Sequence, residues 1–347
     1  MKANQPLLMI TPGNPDGIGP EVVQKAFLKN LLPKDVTYLI VGARSPFQQI
    51  KVNELDSKLP LNELLATLRK QSKKLPFFLP APEKAPIPTL NLNGYQAGWS
   101  LERAVTLCLE AKKSALCTGP IDKKDLNDGG FAYAGHTDFL AHLCGRRDRV
   151  TMMLANEELR VGLVTTHLPL KEVPKKISQK RIFQTIDRVI QALQNRFGCS
   201  RPQVAVLGLN PHAGEQGLLG KEEQEQIYPA IVQARRFWKN EARIDGPFPA
   251  DSFFGLELMK SKKNRYDAVI AMYHDQGLIA VKQVDFKNSI NTTLGLPIIR
   301  TSVDHGTGKD IVGKGKADPS SFVAAVKMAR QQVKKTIKEP KGKKNGI

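Results

Sequence analysis

Three of the chain's six histidines stand just past three short apolar runs. His167 follows residues 161–165, His212 follows 204–209 and His274 follows 268–272. Each is followed within three residues by a glycine or proline, so each sits where an extended run gives way to a loop. If the runs are parallel strands, the histidines share the carboxyl edge, where α/β sheets bind ligands. Three imidazoles converging there suit a divalent metal with positions left open for a substrate. The rival reading is three unrelated histidines. Half of all the histidines lying at strand ends favours the metal, although the long separations provide no local ligand motif.

Two glycine-bearing segments could approach an anionic ligand. Residues 11–21 join the first strand to the first helix without forming G-x-G-x-x-G. Gly13 and Gly17 there allow tight turning and close backbone approach. Taken alone, the segment reads equally as a plain strand-to-helix turn. Residues 304–316 offer backbone donors at Gly306 and Thr307, the His305 imidazole, lysines, and Asp310 as an acceptor for a ribose hydroxyl. That stretch reads equally as a solvated loop. His136, Thr137 and Asp138 precede an apolar helix whose N-terminus is suited to an anion; on spacing alone, a simple cap by Thr137 or Asp138 is the favoured reading. His142 and Cys144 nearby do not make a metal site. Lys282, Asn291 and Arg300 surround the apolar residues 294–299 and are candidates for a substrate's phosphate and carboxylate.

These residues need a frame that alternates strands and helices. Residues 7–11, 38–41 and 115–118 read as buried strands, alongside the three that precede the histidines. Helices are expected over 21–31, with Pro20 in its first turn, and over 62–69, 179–195 and 222–238. Another is expected over 100–112, capped by Ser100. The proline-rich residues 81–92 read as a loop or edge arm. The alternation predicts an α/β fold with a mostly parallel sheet covered on both faces.

With 347 residues, 41% of them hydrophobic, the chain is long enough for two domains. No apolar run is long enough to span a bilayer, and the N-terminus lacks a secretory layout, so a cytoplasmic protein is expected. Cys108, Cys117, Cys144 and Cys199 form no C-x-x-C pair and read as buried, reduced thiols. The net charge of +19 suits nucleic acid, an attractive field for anionic small molecules, or a merely solvated surface. Part of it lies in a C-terminal tail, residues 336–347, with little to pack. No aromatics interleave with the tail lysines, which argues against a base-stacking platform and hence against a nucleic-acid partner.

The motifs resemble one family in order. They are Pro12-Gly13 through Gly17-Ile18-Gly19-Pro20-Glu21, Thr118-Gly119-Pro120, Gly135-His136-Thr137, Leu209-Asn210-Pro211-His212-Ala213-Gly214-Glu215, Ala271-Met272-Tyr273-His274-Asp275-Gln276-Gly277, Thr293-Leu294-Gly295-Leu296-Pro297 and Ser302-Val303-Asp304-His305-Gly306-Thr307. Together they look like the 4-hydroxythreonine-4-phosphate dehydrogenase family over about residues 6–330. The resemblance implies the isocitrate/isopropylmalate dehydrogenase-like fold, two α/β/α domains with a cleft between them. We expect a cofactor-side domain of residues 1–130 plus 300–335 and a metal, substrate and dimerisation domain of 131–299. The resemblance also implies a homodimer in which His274 completes the partner's metal site, NAD or NADP as cofactor, and Zn²⁺, Mg²⁺ or Co²⁺ as metal. Its metal ligands fall on His167, His212 and His274, and its substrate contacts on His136, Thr137, Lys282, Asn291 and Arg300. The cofactor segments are similar to those of isopropylmalate dehydrogenases, with Gly13 and Gly17 in one and His305, Gly306, Thr307 and Asp310 in the other. The implied reaction is oxidation of 4-phosphooxy-L-threonine at C3 followed by loss of carbon dioxide. It gives 3-amino-2-oxopropyl phosphate, on the way to pyridoxal phosphate. Asp251 is a candidate general base, or equally a carboxylate that orients a ligand histidine. The family usually has aspartate at Asn14, often proline at Ala280, and glycine-valine at Ser289-Ile290. These departures leave room for a related substrate, such as 4-phosphothreonate or 4-phosphoerythronate.

Overall fold

The computed structural model of the chain describes residues 5–70, 75–133, 135–147 and 149–336. Its strands, in chain order, are β1 (Leu7–Thr11), β2 (Thr37–Gly42), β3 (Asn53–Glu54), β4 (Phe77–Pro80), β5 (Ser114–Thr118), β6 (Thr151–Ala155), β7 (Arg160–Leu163), β8 (Gln203–Leu207), β9 (Arg243–Phe248), β10 (Ala268–Ala271), β11 (Ile290–Leu294) and β12 (Ile299–Val303). The chain divides into two compact units. One holds the residues up to Val150 together with Leu296–Lys334; the other is Thr151–Gly295.

In the first unit β3, β4, β2, β1, β5 and β12 lie side by side, all parallel. β1 is apolar at nearly every position because both its faces are covered. Leu8 and Ile10 pack with Val22, Val23 and Ala26 of helix Gly19–Leu28 and Phe322 and Val326 of helix Ser320–Lys335. Leu7 and Met9, on the alternate face, pack with Leu64 of helix Leu61–Lys70 and Leu101 and Ala104 of helix Leu92–Glu110. The unit continues to Val150, past the boundary expected near residue 130. Helix His136–Leu143 buries Phe139 and Leu140 in this same core, which ties it to the first unit.

The expected helix start at Ser100 is corrected. The helix begins at Leu92, capped by the Asn91 side chain, which accepts a hydrogen bond from the Gly94 amide at 2.9 Å. Ser100 lies inside it, its hydroxyl donating back to the Gln96 carbonyl. Gly94 and Gly98 dilute the helical signal. A Cβ at Gly94 would come within 1.7 Å of the Asp125 carbonyl, and one at Gly98 within 2.2 Å of the Phe131 ring. The expected caps Thr137 and Asp138 are likewise inside their helix, which Gly135 precedes.

The second unit orders its strands β11, β6, β7, β10, β8, β9. β6 runs antiparallel to both β11 and β7, whereas β7, β10, β8 and β9 are parallel. Leu163, Ala205, Leu207, Val269 and Ala271 pack one face against Leu278 and Val281 of helix His274–Val284. Ile182, Ile186, Val189 and Ile190 of helix Gln179–Ala192 are also fully buried. The basic tail beyond Thr336 lies outside the described residues. Lys334 and Lys335 precede it, in the last turn of helix Ser320–Lys335.

Candidate functional site

The three strand-end histidines of the second unit fall on neighbouring parallel strands. His167 follows β7, His274 follows β10 and His212 follows β8, with β10 between the other two. All three are therefore at the same carboxyl edge. His274 opens its helix, and its Nδ1 lies 2.7 Å from Asp275 Oδ1. The His167 and His274 rings are 5.5 Å apart. His212 is exposed in the turn Pro211–Gly217, where it, Ala213, Gly214, Glu215 and Gln216 all have positive φ. Among the described residues, no three His, Cys, Asp or Glu side chains lie close enough to share a metal. β7 and β8 are two strand spacings apart, roughly 10 Å, with β10 between them.

The chemistry of these donors nevertheless fits a divalent metal. His167 and His274 present neighbouring imidazoles at the protein surface. The Asp275 carboxylate occupies one ring nitrogen of His274 and leaves Nε2 open, a pairing that suits a metal-binding histidine. Asp251 is exposed in the first turn of helix Ala250–Met259. The carboxylate at hydrogen-bond distance from a candidate ligand is Asp275.

Sequence reasoning missed two residues behind these loops. Gln276 accepts from the Met272 amide at 2.6 Å and donates to the Gly208 carbonyl at 2.7 Å. Glu223, 4% exposed, accepts from the amides of Leu209 and Asn210. Neither belongs to a ligand-like spacing, and only the tertiary fold shows what they touch.

Of the remaining candidates in this unit, Lys282 is half-buried with its ammonium over the Phe286 ring, 5.7 Å from its centroid. Asn291, on β11, has its Oδ1 buried without a hydrogen-bond partner.

In the first unit Arg300, on β12, is 2% exposed. Its Nε and Nη2 donate to Thr118 Oγ1 at 3.2 and 2.8 Å. Burial pulls the guanidinium down to about 10, so it remains charged at neutral pH. His136 is half-buried, and its Nε2 is out of solvent with no partner. Burial, with the Arg300 charge adding to it, holds this imidazole well below its usual range. Thr137 follows it in the first helical turn. A buried cation beside a neutral imidazole with an unused nitrogen suits an anionic group with hydroxyl or phosphate oxygens.

The proposed cofactor segments also come together in this unit, past the carboxyl ends of β1, β5 and β12. Gly13 has φ +86°, and a Cβ there would lie 1.9 Å from the Pro120 carbonyl oxygen. Ile18 donates its amide to the Thr307 carbonyl at 2.8 Å, and a Cβ at Gly17 would meet that same oxygen at 3.0 Å. Lys309 ties the segments by ion pairs to Asp16 (3.0 Å) and Asp125 (2.5 Å), which raise its pKa. Asn14, fully buried, donates to Asp125 at 2.6 Å and accepts from the Asp122 amide. An aspartate there would have no donor for Asp125 and would set two carboxylates against each other. Gly306 faces open space, His305 Nε2 is buried without a partner, and Asp310 is exposed.

A two-unit α/β chain with imidazoles at one sheet edge and a buried arginine–histidine pair in the other unit has the equipment of an enzyme acting on a small anionic molecule. The comparisons say which kind. Residues 36–329 match the family described as pyridoxal phosphate biosynthetic protein PdxA. The chain is 42% identical over 341 residues to a 4-hydroxythreonine-4-phosphate dehydrogenase of Desulfosudis oleivorans, covering 97% of this chain and 98% of that one. A crystal structure of 4-hydroxythreonine-4-phosphate dehydrogenase from Klebsiella pneumoniae aligns with TM-score 0.80 at 32% identity, over 94% of this chain and 99% of that one. Isocitrate dehydrogenase from Methylococcus capsulatus, at 13% identity and TM-score 0.50 over 95% and 86% of the two chains, shares the fold. The chain is an oxidoreductase and belongs to the PdxA family.

Proposed function

We propose that the chain oxidises 4-phosphooxy-L-threonine at its C3 hydroxyl and releases the product as 3-amino-2-oxopropyl phosphate after decarboxylation. The observation that carries the reading is the placement of His167, His274 and His212 at the carboxyl ends of three adjacent parallel strands, in a chain of this family. When bound, a nicotinamide dinucleotide, NAD or NADP, supplies the hydride acceptor, and a divalent metal, Zn²⁺, Mg²⁺ or Co²⁺, supplies a Lewis acid at the substrate oxygen. His167, His212 and His274 would hold the metal. Gly13 and Gly17 would give the dinucleotide close backbone approach, with His305, Gly306, Thr307 and Asp310 at its adenosine end.

The protein's own groups then bind and orient the substrate. Arg300, buried and charged, is a fixed donor for a substrate anion, with Thr118 holding the guanidinium plane. His136, kept neutral, offers its Nε2 as a hydrogen-bonding atom without adding charge. Thr137 adds a hydroxyl at the helix start, and Lys282 and Asn291 of the second unit are proposed as further contacts. Holding C3 in one orientation is worth several kcal/mol of barrier. Asp251 is retained as a proposed proton acceptor for the hydroxyl. We further propose a homodimer in which His274 serves the partner's metal site.

The test is turnover of purified protein, followed as reduced dinucleotide, on 4-phosphooxy-L-threonine and on 4-phosphothreonate, before and after chelation. Preference for the first, lost on chelation and restored by metal, is expected. Preference for the second would move the assignment to the related phosphorylated hydroxy acid. Turnover indifferent to chelation would remove the metal.

A further inference from the structure

Where the strands of the second unit end, their backbone ladders end too. The β8–β10 pairing runs through Val206 and Ile270, and the β7–β10 pairing through Leu163 and Ala271. The chain beyond must still be held, because it carries the histidines. Between β7 and β10 the backbone continues the work. Val164 donates to Ala271 at 2.9 Å and Thr165 to Met272 at 3.1 Å, with Thr165 Oγ1 adding a bond of 2.7 Å to the same carbonyl.

Between β10 and β8 a side chain takes over. Gln276 Oε1 accepts from the Met272 amide and its Nε2 donates to the Gly208 carbonyl, so one carboxamide spans both strand ends. Gln276 lies two residues after His274, and Gly208 four before His212. On the far side, Glu223 Oε1 accepts from the Leu209 and Asn210 amides at 2.7 and 2.8 Å, while Oε2 accepts from Asn210 Nδ2 at 2.9 Å. Glu223 thus closes the donors of the two residues that lead into the left-handed turn bearing His212. A Cβ at Gly214, inside that turn, would lie 2.5 Å from Glu223 Oε2.

We propose that Gln276 and Glu223 are positioning residues for the metal centre, a side-chain lacing that fixes the His274 and His212 limbs to the sheet edge. The inference rests on the assignment of these histidines as ligands, and it holds whether His274 serves its own chain's site or the partner's. A carboxamide is needed at residue 276 because one group must accept from an amide and donate to a carbonyl. Glutamate cannot donate when ionised, and methionine makes neither bond well. Partners that orient metal ligands set affinity by about 10–100-fold.

The experiment uses the full-length chain stripped of metal and titrated with Co²⁺, read by calorimetry and by the visible spectrum of the bound ion. Gln276→Met, Gln276→Glu and Glu223→Gln are compared with wild type and with His167→Ala and His212→Ala. We expect the Met and Glu variants at 276 to weaken Co²⁺ binding about 10–100-fold with an altered spectrum, and Glu223→Gln to weaken it in the same direction. Dinucleotide affinity, measured by fluorescence, should stay within twofold in each and reports that the fold is retained. Wild-type affinity and spectrum in the 276 variants and in Glu223→Gln would overturn the lacing while leaving the metal site standing. Co²⁺ binding untouched in His167→Ala and His212→Ala would instead remove the metal assignment, and this proposal with it.

Discussion

His136 and Arg300 show how one residue conditions another. Arg300 stays charged despite burial, and burial together with that charge discourages protonation of His136. The consequence for stability has a definite sign. An unfolded imidazole titrates near about 6.5, whereas the folded one binds its proton only at lower pH. As pH falls below about 6.5, the unfolded chain takes up a proton that the folded chain refuses, so stability falls. We expect urea unfolding between pH 7.5 and 5.5 to show a shallower loss of stability in His136→Asn than in wild type; parallel curves would count against it. Arg300→Lys keeps the charge but replaces a planar fork with a point donor. It should raise KM for the phosphorylated substrate by roughly 10–150-fold, the loss of about 1.5–3 kcal/mol from charged hydrogen bonds, with dinucleotide KM nearly unchanged. The positions of the three strand-end histidines were legible in the sequence, because each follows an apolar run and precedes a breaker. Their order across the sheet was not, since β10 intervenes between β7 and β8 only in space. Gln276 was equally opaque, as its partner Gly208 is 68 residues away.

At the scale of elements, apolar runs gave β1, β2, β5 and β10 to within a residue or two, because strands buried on both faces are apolar almost throughout. β11 was not legible. Its residues Asn291, Thr292 and Thr293 look like loop, although both threonines are fully buried in the sheet. The long helix Leu92–Glu110 was half legible because its first turns carry the glycines that let Asp125 and Phe131 approach. The same close approach governs the strand-end turns of the first unit. A Cβ at Gly119 would lie 2.1 Å from the Pro12 carbonyl oxygen, whereas one at Gly306 would meet nothing within 4 Å. Gly119→Ala should therefore cost more than about 2 kcal/mol, since two backbones must separate, and Gly306→Ala less than about 0.5 kcal/mol. Thermal unfolding of the two variants beside wild type checks both. A Gly119→Ala protein as stable as Gly306→Ala would mean that the turns are not packed as described.

At the scale of the whole molecule, the cofactor-like segments at both ends, with the histidine strands between them, predict a discontinuous division of the chain. The first boundary lies later because helix His136–Leu143 contributes to the first core. Among the described residues no helix is long and apolar enough to cross a membrane. The family match ends at residue 329, ahead of the basic tail, so deletion after Thr336 should leave kcat/KM within about twofold in the dehydrogenase assay. The arrangement of the histidines gives the sharper prediction. His167, His274 and His212 share an edge, yet no three-ligand group forms among the described residues of one chain. Under the proposed homodimer, His274 of one copy completes the site built on His167 and His212 of the other. His212→Ala and His274→Ala proteins should each be inactive alone. When their subunits are mixed, refolded and separated by orthogonal tags, the hybrid dimer holds one site with both defects and one with none. That hybrid should recover about half of wild-type activity, and bind one tight Co²⁺ where wild type binds two. If all three ligands come from the same chain, every site in the hybrid carries a defect, and mixing restores nothing.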